Sequence, residues 1–192
     1  MILRILFIAL PLYLISAPPV YTRPGIVTMQ GGVWEGSDHL LNLKGPLNVV
    51  VEILKPKNVE IPLSVETIEN KIITEFKKMD LVNGNDFSSP TPGIPFFNVL
   101  IVAYPVEKGY VALVDARLME VVDPYRVKLD PRTYFQAVTW EKKSVLVAPS
   151  DEFVQTVDKT VDDLVKAFLE RVEYFQDLRR KLDQKDQVER LN

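Results

Sequence analysis

The stretch FFNVLIVAYPVEKGYVALVDARLMEVV, residues 96–122, decides the fold class. Phe96 to Tyr104 and Tyr110 to Val122 are apolar runs rich in β-branched side chains, separated by Pro105-Val106-Glu107-Lys108-Gly109. Two such runs joined by five residues ending in glycine predict a β-hairpin. In the second run Asp115 and Arg117 alternate with Ala112, Val114, Ala116 and Leu118, which predicts one wet face and one dry face. Asp123-Pro124 marks its end.

Upstream, residues 85–95 (NDFSSPTPGIP) read as a polar loop with three prolines. Before it lies an amphipathic helix. Ser64 is placed to cap it, and Val65, Ile68, Ile72, Phe76 and Met79 recur at spacings of three and four. Asn83-Gly84 offers a left-handed residue to close it. Further back, Leu47 to Leu54 (LNVVVEIL) carries few polar residues, as a strand buried on both faces would, and Pro56 stops it.

Downstream, Tyr134 to Trp140 predicts a third strand of the meander and Ser144 to Ala148 a short continuation. Pro149-Ser150 then opens a long helix, with Ser150 or Asp151 as cap and acidic residues in its first turns. Phe153, Val157, Val161, Leu164, Val165, Phe168, Val172 and Phe175 trace its apolar stripe. Helix up to Arg190 would run about 60 Å, against roughly 33 Å for a ten-residue strand, so its last fifteen or so residues extend past the sheet.

The expected fold is therefore α+β, a two-layer sandwich with a mostly antiparallel sheet of about four strands and both helices on one face. The element order is β-α-β-β-β-α, with an extended C-terminal helix, and the strand-helix-strand unit is expected to cross over right-handed. The α+β domain spans 47–176 and a charged helical tail 177–192. Residues 18–46, broken by Pro18, Pro19, Pro24, Gly25, Gly31, Gly32 and Gly36, read as a flexible leader, with Ile26 to Met29 or Val33-Trp34 as possible short edge segments.

Residues 1–17 have the layout of a secretory signal peptide: a positive start at Arg4, the apolar run ILFIALPLYLI at 5–15, then Ser16-Ala17. As a helix that run rises only about 17 Å, short of the roughly 30 Å hydrocarbon core. Ile15 and Pro18 are unfavourable around a cleavage after Ala17, so cleavage elsewhere or an uncleaved membrane anchor stays open. Of the 192 residues none is cysteine, which removes disulfides, thiolate chemistry and lipid attachment at a lipobox. Without residues 1–17 the chain has 22 basic and 26 acidic residues, a net charge near −4. A mildly acidic surface without basic and aromatic clusters argues against nucleic-acid binding.

Catalytic signatures are weak. His39 is the single histidine and sits among Gly36, Ser37 and Asp38 without partner ligands. Asp158, Asp162 and Asp163 bring carboxylates together on the last helix, but Lys159 and Lys166 share it, and a solvated face is the simpler reading. Neither a phosphate-binding glycine motif nor a G-x-S-x-G elbow occurs. No cofactor or metal is expected. Thr139-Trp140-Glu141 is the most distinctive tripeptide: Trp140 suits a partner anchor with Glu141 at its rim, or else packs against the helix layer, the reading we prefer.

Leu43 to Val51 (LKGPLNVVV), Pro92-Gly93-Ile94-Pro95, Val138-Thr139-Trp140-Glu141 and the run Val161 to Leu169 (VDDLVKAFL) resemble, in that order and spacing, a group of bacterial exported proteins of unknown function. The likeness covers about residues 43–175. The group's last helix closes soon after its Asp-Leu-Val-x-x-Phe run, whereas charged residues here continue to Asn192. The resemblance implies a bacterial, exported setting and an α+β domain, with no activity to transfer.

The expected function is a non-catalytic exported accessory or adaptor domain of the bacterial envelope, periplasmic or held at the outer face of the inner membrane. Leu178, Leu182, Val188 and Leu191 form a loose apolar row through which the tail pairs with an envelope protein or a second copy, or else frays in solvent. The candidate interaction residues are Trp140, Glu141, Leu178 and Leu182. The alternative is a periplasmic carrier of a small apolar ligand or lipid, its pocket framed by Phe96, Phe97, Tyr104, Tyr110, Tyr134, Phe135 and Trp140.

Overall fold

A computed structural model describes residues 28–30, 33–35, 40, 43, 45–82, 95–122 and 135–191, with side chains on the last helix to residue 184. In chain order the elements are β1 (Thr28–Gln30), β2 (Val33–Glu35), β3 (Asn48–Leu54), α1 (Val65–Lys77), β4 (Phe96–Val106), β5 (Gly109–Val122), β6 (Phe135–Pro149) and α2 (Phe153–Leu191). The fold is α+β. Its main sheet has four strands in the order β3-β4-β5-β6 and is mixed: β3 runs parallel to β4, and the other two pairings are antiparallel. The element order departs from expectation at the start, where β1 and β2 pair with each other in a separate antiparallel ladder.

That ladder lies inside the stretch read as a flexible leader, and the same stretch feeds the core, because Leu40 is buried and Leu43 packs against buried residues. Leu47 is fully buried, and its N–H donates to the Leu81 carbonyl at 2.6 Å. The chain there runs so close to the end of α1 that a Cβ on Gly45 would come within 2.7 Å of the Asp80 carbonyl oxygen.

Ser64 caps α1 as expected, its hydroxyl accepting from the Thr67 N–H at 3.2 Å. The helix closes earlier than Asn83-Gly84. Asp80 takes the left-handed conformation (φ 54°), and Leu81 N–H reaches back to the Phe76 carbonyl at 3.1 Å while Asp80 N–H reaches Lys77 at 3.3 Å. Those two bonds make a Schellman closure, completed by the burial of both Phe76 and Leu81. An aspartate tolerates this conformation better than most residues, so glycine is not required.

The β4–β5 hairpin is tighter than the sequence suggests. Val106 already pairs with Gly109, leaving only Glu107 and Lys108 in the turn. Pro105 looks like a strand breaker because it lacks an N–H. However, β3 ends at Leu54 opposite Val102, so one side of β4 is unpaired beyond that point and the missing donor costs little. Glycine is needed at 109, since a Cβ there would lie 2.0 Å from the Ala148 carbonyl oxygen on β6.

The two strand fragments expected around Trp140 and Val145 form one continuous β6. Glu141, Lys142 and Lys143 do not interrupt it because β6 is an edge strand, and Glu141 and Lys143 find ionic partners on β5. One irregularity matters. Leu118 pairs with Trp140 but Met119 pairs with Val138, so Thr139 is an extra residue in β6. Side chains alternate between faces along a strand, so this single insertion turns Trp140 away from the face of Val138.

Trp140 thereby joins a rung that crosses all four strands, Val49, Phe97, Leu118 and Trp140, every member buried. Both helices reach that rung. Phe76 of α1 meets Phe97 edge-on at 5.0 Å, and Phe168 of α2 lies 4.7 Å from Phe97, 5.1 Å from Trp140 and 5.5 Å from Phe76 between ring centroids. At its other end α2 is anchored by Phe153, whose ring lies 4.7 Å from that of Tyr110. The apolar stripe expected on α2 is buried at every position. On α1 Val65, expected in the stripe, is exposed, and Ile73 is buried beside Ile72. The first turn of α2 holds no acidic residue, because the helix begins at Phe153, beyond Asp151 and Glu152.

Candidate interaction surfaces

Residues of β4, β5 and β6 whose side chains alternate with the buried rungs point to the other face of the sheet. Its centre is ionic. Asp115 stands opposite Lys143 and Arg117 opposite Glu141 in the β5–β6 register. Arg117 binds Asp115 through its guanidinium and Glu141 at 3.0 Å, while Lys143 lies 3.0 Å from Glu141 and 3.4 Å from Asp115. The four charges therefore close a ring of ion pairs in which acids and bases alternate. Beside it Asn98 donates to Glu52 at 3.0 Å.

The sequence alternation puts Asp115 on a wet face, yet its side chain is only 1% exposed. The middle position of β5 surrounds it with neighbouring side chains, and Arg117 and Lys143 replace the water it loses. One oxygen, Oδ1, has no hydrogen-bond donor, nor does the buried hydroxyl of Thr139 at the bulge have a partner. Hydrogen bonding to Asp115 raises the pKa of Arg117 above its ordinary value, against desolvation, with Glu141 adding to the rise. Lys143 is raised as well, by its bond to Glu141 first and despite desolvation, with further help from Asp115.

Away from this ring the same face is apolar. Leu54, Val102, Leu113 and Val145 form one rung, followed by Tyr104, Val111 and Val147. Val145 and Val147 are 70% and 72% exposed, and Leu54 and Tyr104 each 55%. Large apolar side chains grouped on one sheet face are the usual mark of a contact surface.

Of the residues singled out from sequence, Glu141 belongs to the ionic ring, whereas Trp140 lies in the core on the opposite side of the sheet. Leu178 is half-buried against the core and Leu182 is exposed one turn further along α2. The row they begin therefore leaves the domain body between them. Phe175 is the last buried residue of the stripe, while the helix continues to Leu191, for about 58 Å in all. Arg179 pairs with Asp183 at 3.0 Å and Arg180 with Asp177 along this projecting part. His39 lies outside the described residues.

Asp158 and Asp162 are not merely solvated. Lys71 of α1 reaches both, at 2.8 and 2.7 Å, and ties the two helices together. Desolvation pulls the Lys71 ammonium down, but its bonds to Asp158 and Asp162 together outweigh that and hold its pKa above the ordinary lysine value. A cation whose pKa is raised on folding contributes stability that is complete below the unfolded-state value of about 10.4 and disappears as pH rises through the folded one. Urea melts should therefore show stability falling above about pH 10.4, with a smaller fall for Lys71→Met; equal slopes would mean that the triad adds nothing. The side chains are a third to a half exposed, so the effect is expected to be small.

Among the described residues no cluster of histidine, cysteine or acidic side chains is arranged to hold a metal ion, and no helix is long and apolar enough to cross a membrane. No family model, curated protein or solved structure matches the chain.

Proposed function

We propose that this protein is a non-catalytic exported accessory or adaptor domain of the bacterial envelope that works through protein contacts. The observation that carries the reading is the projection of α2 beyond its own core: burial of its stripe ends at Phe175, and helix continues to Leu191. Among the described side chains beyond Phe175 none is fully buried, and a helix that continues so far past its buried stripe is an element offered to something else. The signal-like residues 1–17 support an exported setting, periplasmic or inner-membrane-anchored, and the resemblance to bacterial exported proteins points the same way.

In this reading the sheet and helices form a two-layer sandwich, supported by the meeting of Phe76 and Phe168 on the rung of Phe97. Both helices then lie on one side, and the opposite sheet face is left for contacts. A ligand carrier fits less well, because the aromatic residues that would frame a pocket include Phe97 and Trp140, whose rings pack against Phe168.

The test compares the full chain with one ending at Gln176, by cell fractionation and in-cell cross-linking. The shorter chain is expected to keep its far-UV spectrum per folded residue and its compartment but lose a cross-linked envelope neighbour. Unchanged neighbours, or a cytoplasmic location for the full chain, would remove the adaptor reading.

A further inference from the structure

We infer that the helix-free face of the sheet is a self-association surface whose occupant is a second copy of this chain. The surface is distinct from the projecting helix and does not depend on it. Three acids, Glu52, Asp115 and Glu141, stand against two bases, Arg117 and Lys143, so the face is close to neutral and gives a strongly charged partner little to recognise.

The order of residues across the strands supplies the complementarity. Glu52, Leu100, Asp115 and Lys143 form one rung, and Leu54, Val102, Leu113 and Val145 the next. Consider a two-fold axis lying between the faces, parallel to the strands and between β4 and β5. It places β5 of one copy over β4 of the other, and β6 over β3. Each rung then meets itself. Apolar rungs cover apolar rungs, and Lys143 of each copy meets Glu52 of the other, because those residues end the same rung. Arg117 likewise meets Asn98, whose side-chain oxygen is an acceptor. Sheets that pack face to face with aligned strands normally sit within about 30° of this arrangement.

Charges already paired within each copy lose less on dehydration than bare ones, so the ionic half does not forbid the contact. The exposed valines at 145 and 147 gain the burial they lack in one copy. Four strands about 4.8 Å apart over about eight residues give roughly 500 Å² of plan area per copy. Standard interfaces bury about 800 Å² per partner, so the dimer is expected to be dissociable, in the micromolar range.

Sedimentation equilibrium of the full chain between about 1 and 100 μM tests this. A monomer–dimer equilibrium is expected. Val145→Asp should abolish it, at a site exposed enough to leave the near-UV spectrum unchanged. Lys143→Glu and Glu52→Lys should each weaken it at least tenfold. An equimolar mixture of those two variants should recover association, because in the mixed dimer the introduced glutamate of one copy meets the introduced lysine of the other, and the remaining pair is the native Lys143 against the native Glu52. A chain ending at Gln176 should dimerise as the full chain does. A monomer throughout the range, a dimer that survives Val145→Asp, a mixture no better than either variant alone, or a dimer lost with the tail would each overturn the inference. The adaptor reading stands or falls separately, on the cross-linked neighbours of the tail.

Discussion

Phe168→Ala is expected to lower folding stability by about 4 kcal/mol. Phe168 has no exposed surface and, among the described residues, is the ring that touches both the other helix and two strands of the sheet, with Phe76, Phe97 and Trp140 all within 5.5 Å. Removing it empties the junction of three elements, and none of its neighbours can collapse inward without leaving another. The cost combines lost transfer energy, a cavity, and aromatic contacts worth about 0.5–1.5 kcal/mol each. Phe168→Leu keeps most of the volume and should cost about half as much. Urea unfolding followed by far-UV circular dichroism measures both, and a loss below about 1 kcal/mol for the alanine variant would mean that the rings do not share a close-packed core.

Deletion of Lys142 is expected to be nearly as damaging, at about 3 kcal/mol or more, and for a different reason. Thr139 is the extra residue that lets Val138 pair with Met119 while Trp140 pairs with Leu118. Removing Lys142 takes a residue from the regular part of the ladder: counted from Asp115 and Lys143, Glu141 then falls opposite Ala116 and Trp140 opposite Arg117 on the outer face, while Thr139 is drawn into the place opposite Leu118. That slip takes a buried indole out of contact with Phe97 and Phe168. With Trp34 replaced by phenylalanine, the emission of Trp140 should shift to the red as the melt midpoint falls. An unshifted spectrum with unchanged stability would show that the register between β5 and β6 does not fix the face of Trp140. Thr139→Val is the control: it removes a buried hydroxyl that has no partner while keeping the residue count, so it should be neutral or mildly stabilising.

These two sites differ in how far the sequence reveals them. Phe168 stands on a stripe with regular three and four spacing, and such a stripe is legible because a helix turns every 3.6 residues whatever it packs on. The bulge at Thr139 has no such signature. A single inserted residue leaves local composition unchanged, and only the pairing with β5 shows that Trp140 and Val138 face opposite ways. The local pattern therefore suffices to place Trp140 on a strand beside Glu141, whereas its position in the aromatic core, across the sheet from the ionic ring, comes from the fold.

The charges make the same point. Asp115 and Arg117 two apart, and Glu141 and Lys143 two apart, are visible as alternation along each strand. Nothing local says that Asp115 will lie opposite Lys143 rather than elsewhere on β6. That depends on the β5–β6 register, which runs unbroken from Gly109–Pro149 to Leu118–Trp140 and shifts by one residue at the bulge. Similarly, Asp158 and Asp162 look solvated in the sequence because their partner, Lys71, lies on another helix, 87 and 91 residues away.

By itself, the sequence determined what is encoded within a few residues: two helices with their apolar stripes, the Ser64 cap, strands rich in β-branched residues, and an α+β composition without cysteine. Only the tertiary structure decided which strands are neighbours, that Asp115 is buried, and that Val145 and Val147 stay exposed beside a ring of ion pairs. The division is physical. Backbone periodicity and capping are local free energies, whereas register, burial and ion pairing are set by contacts between segments that meet only when the core forms.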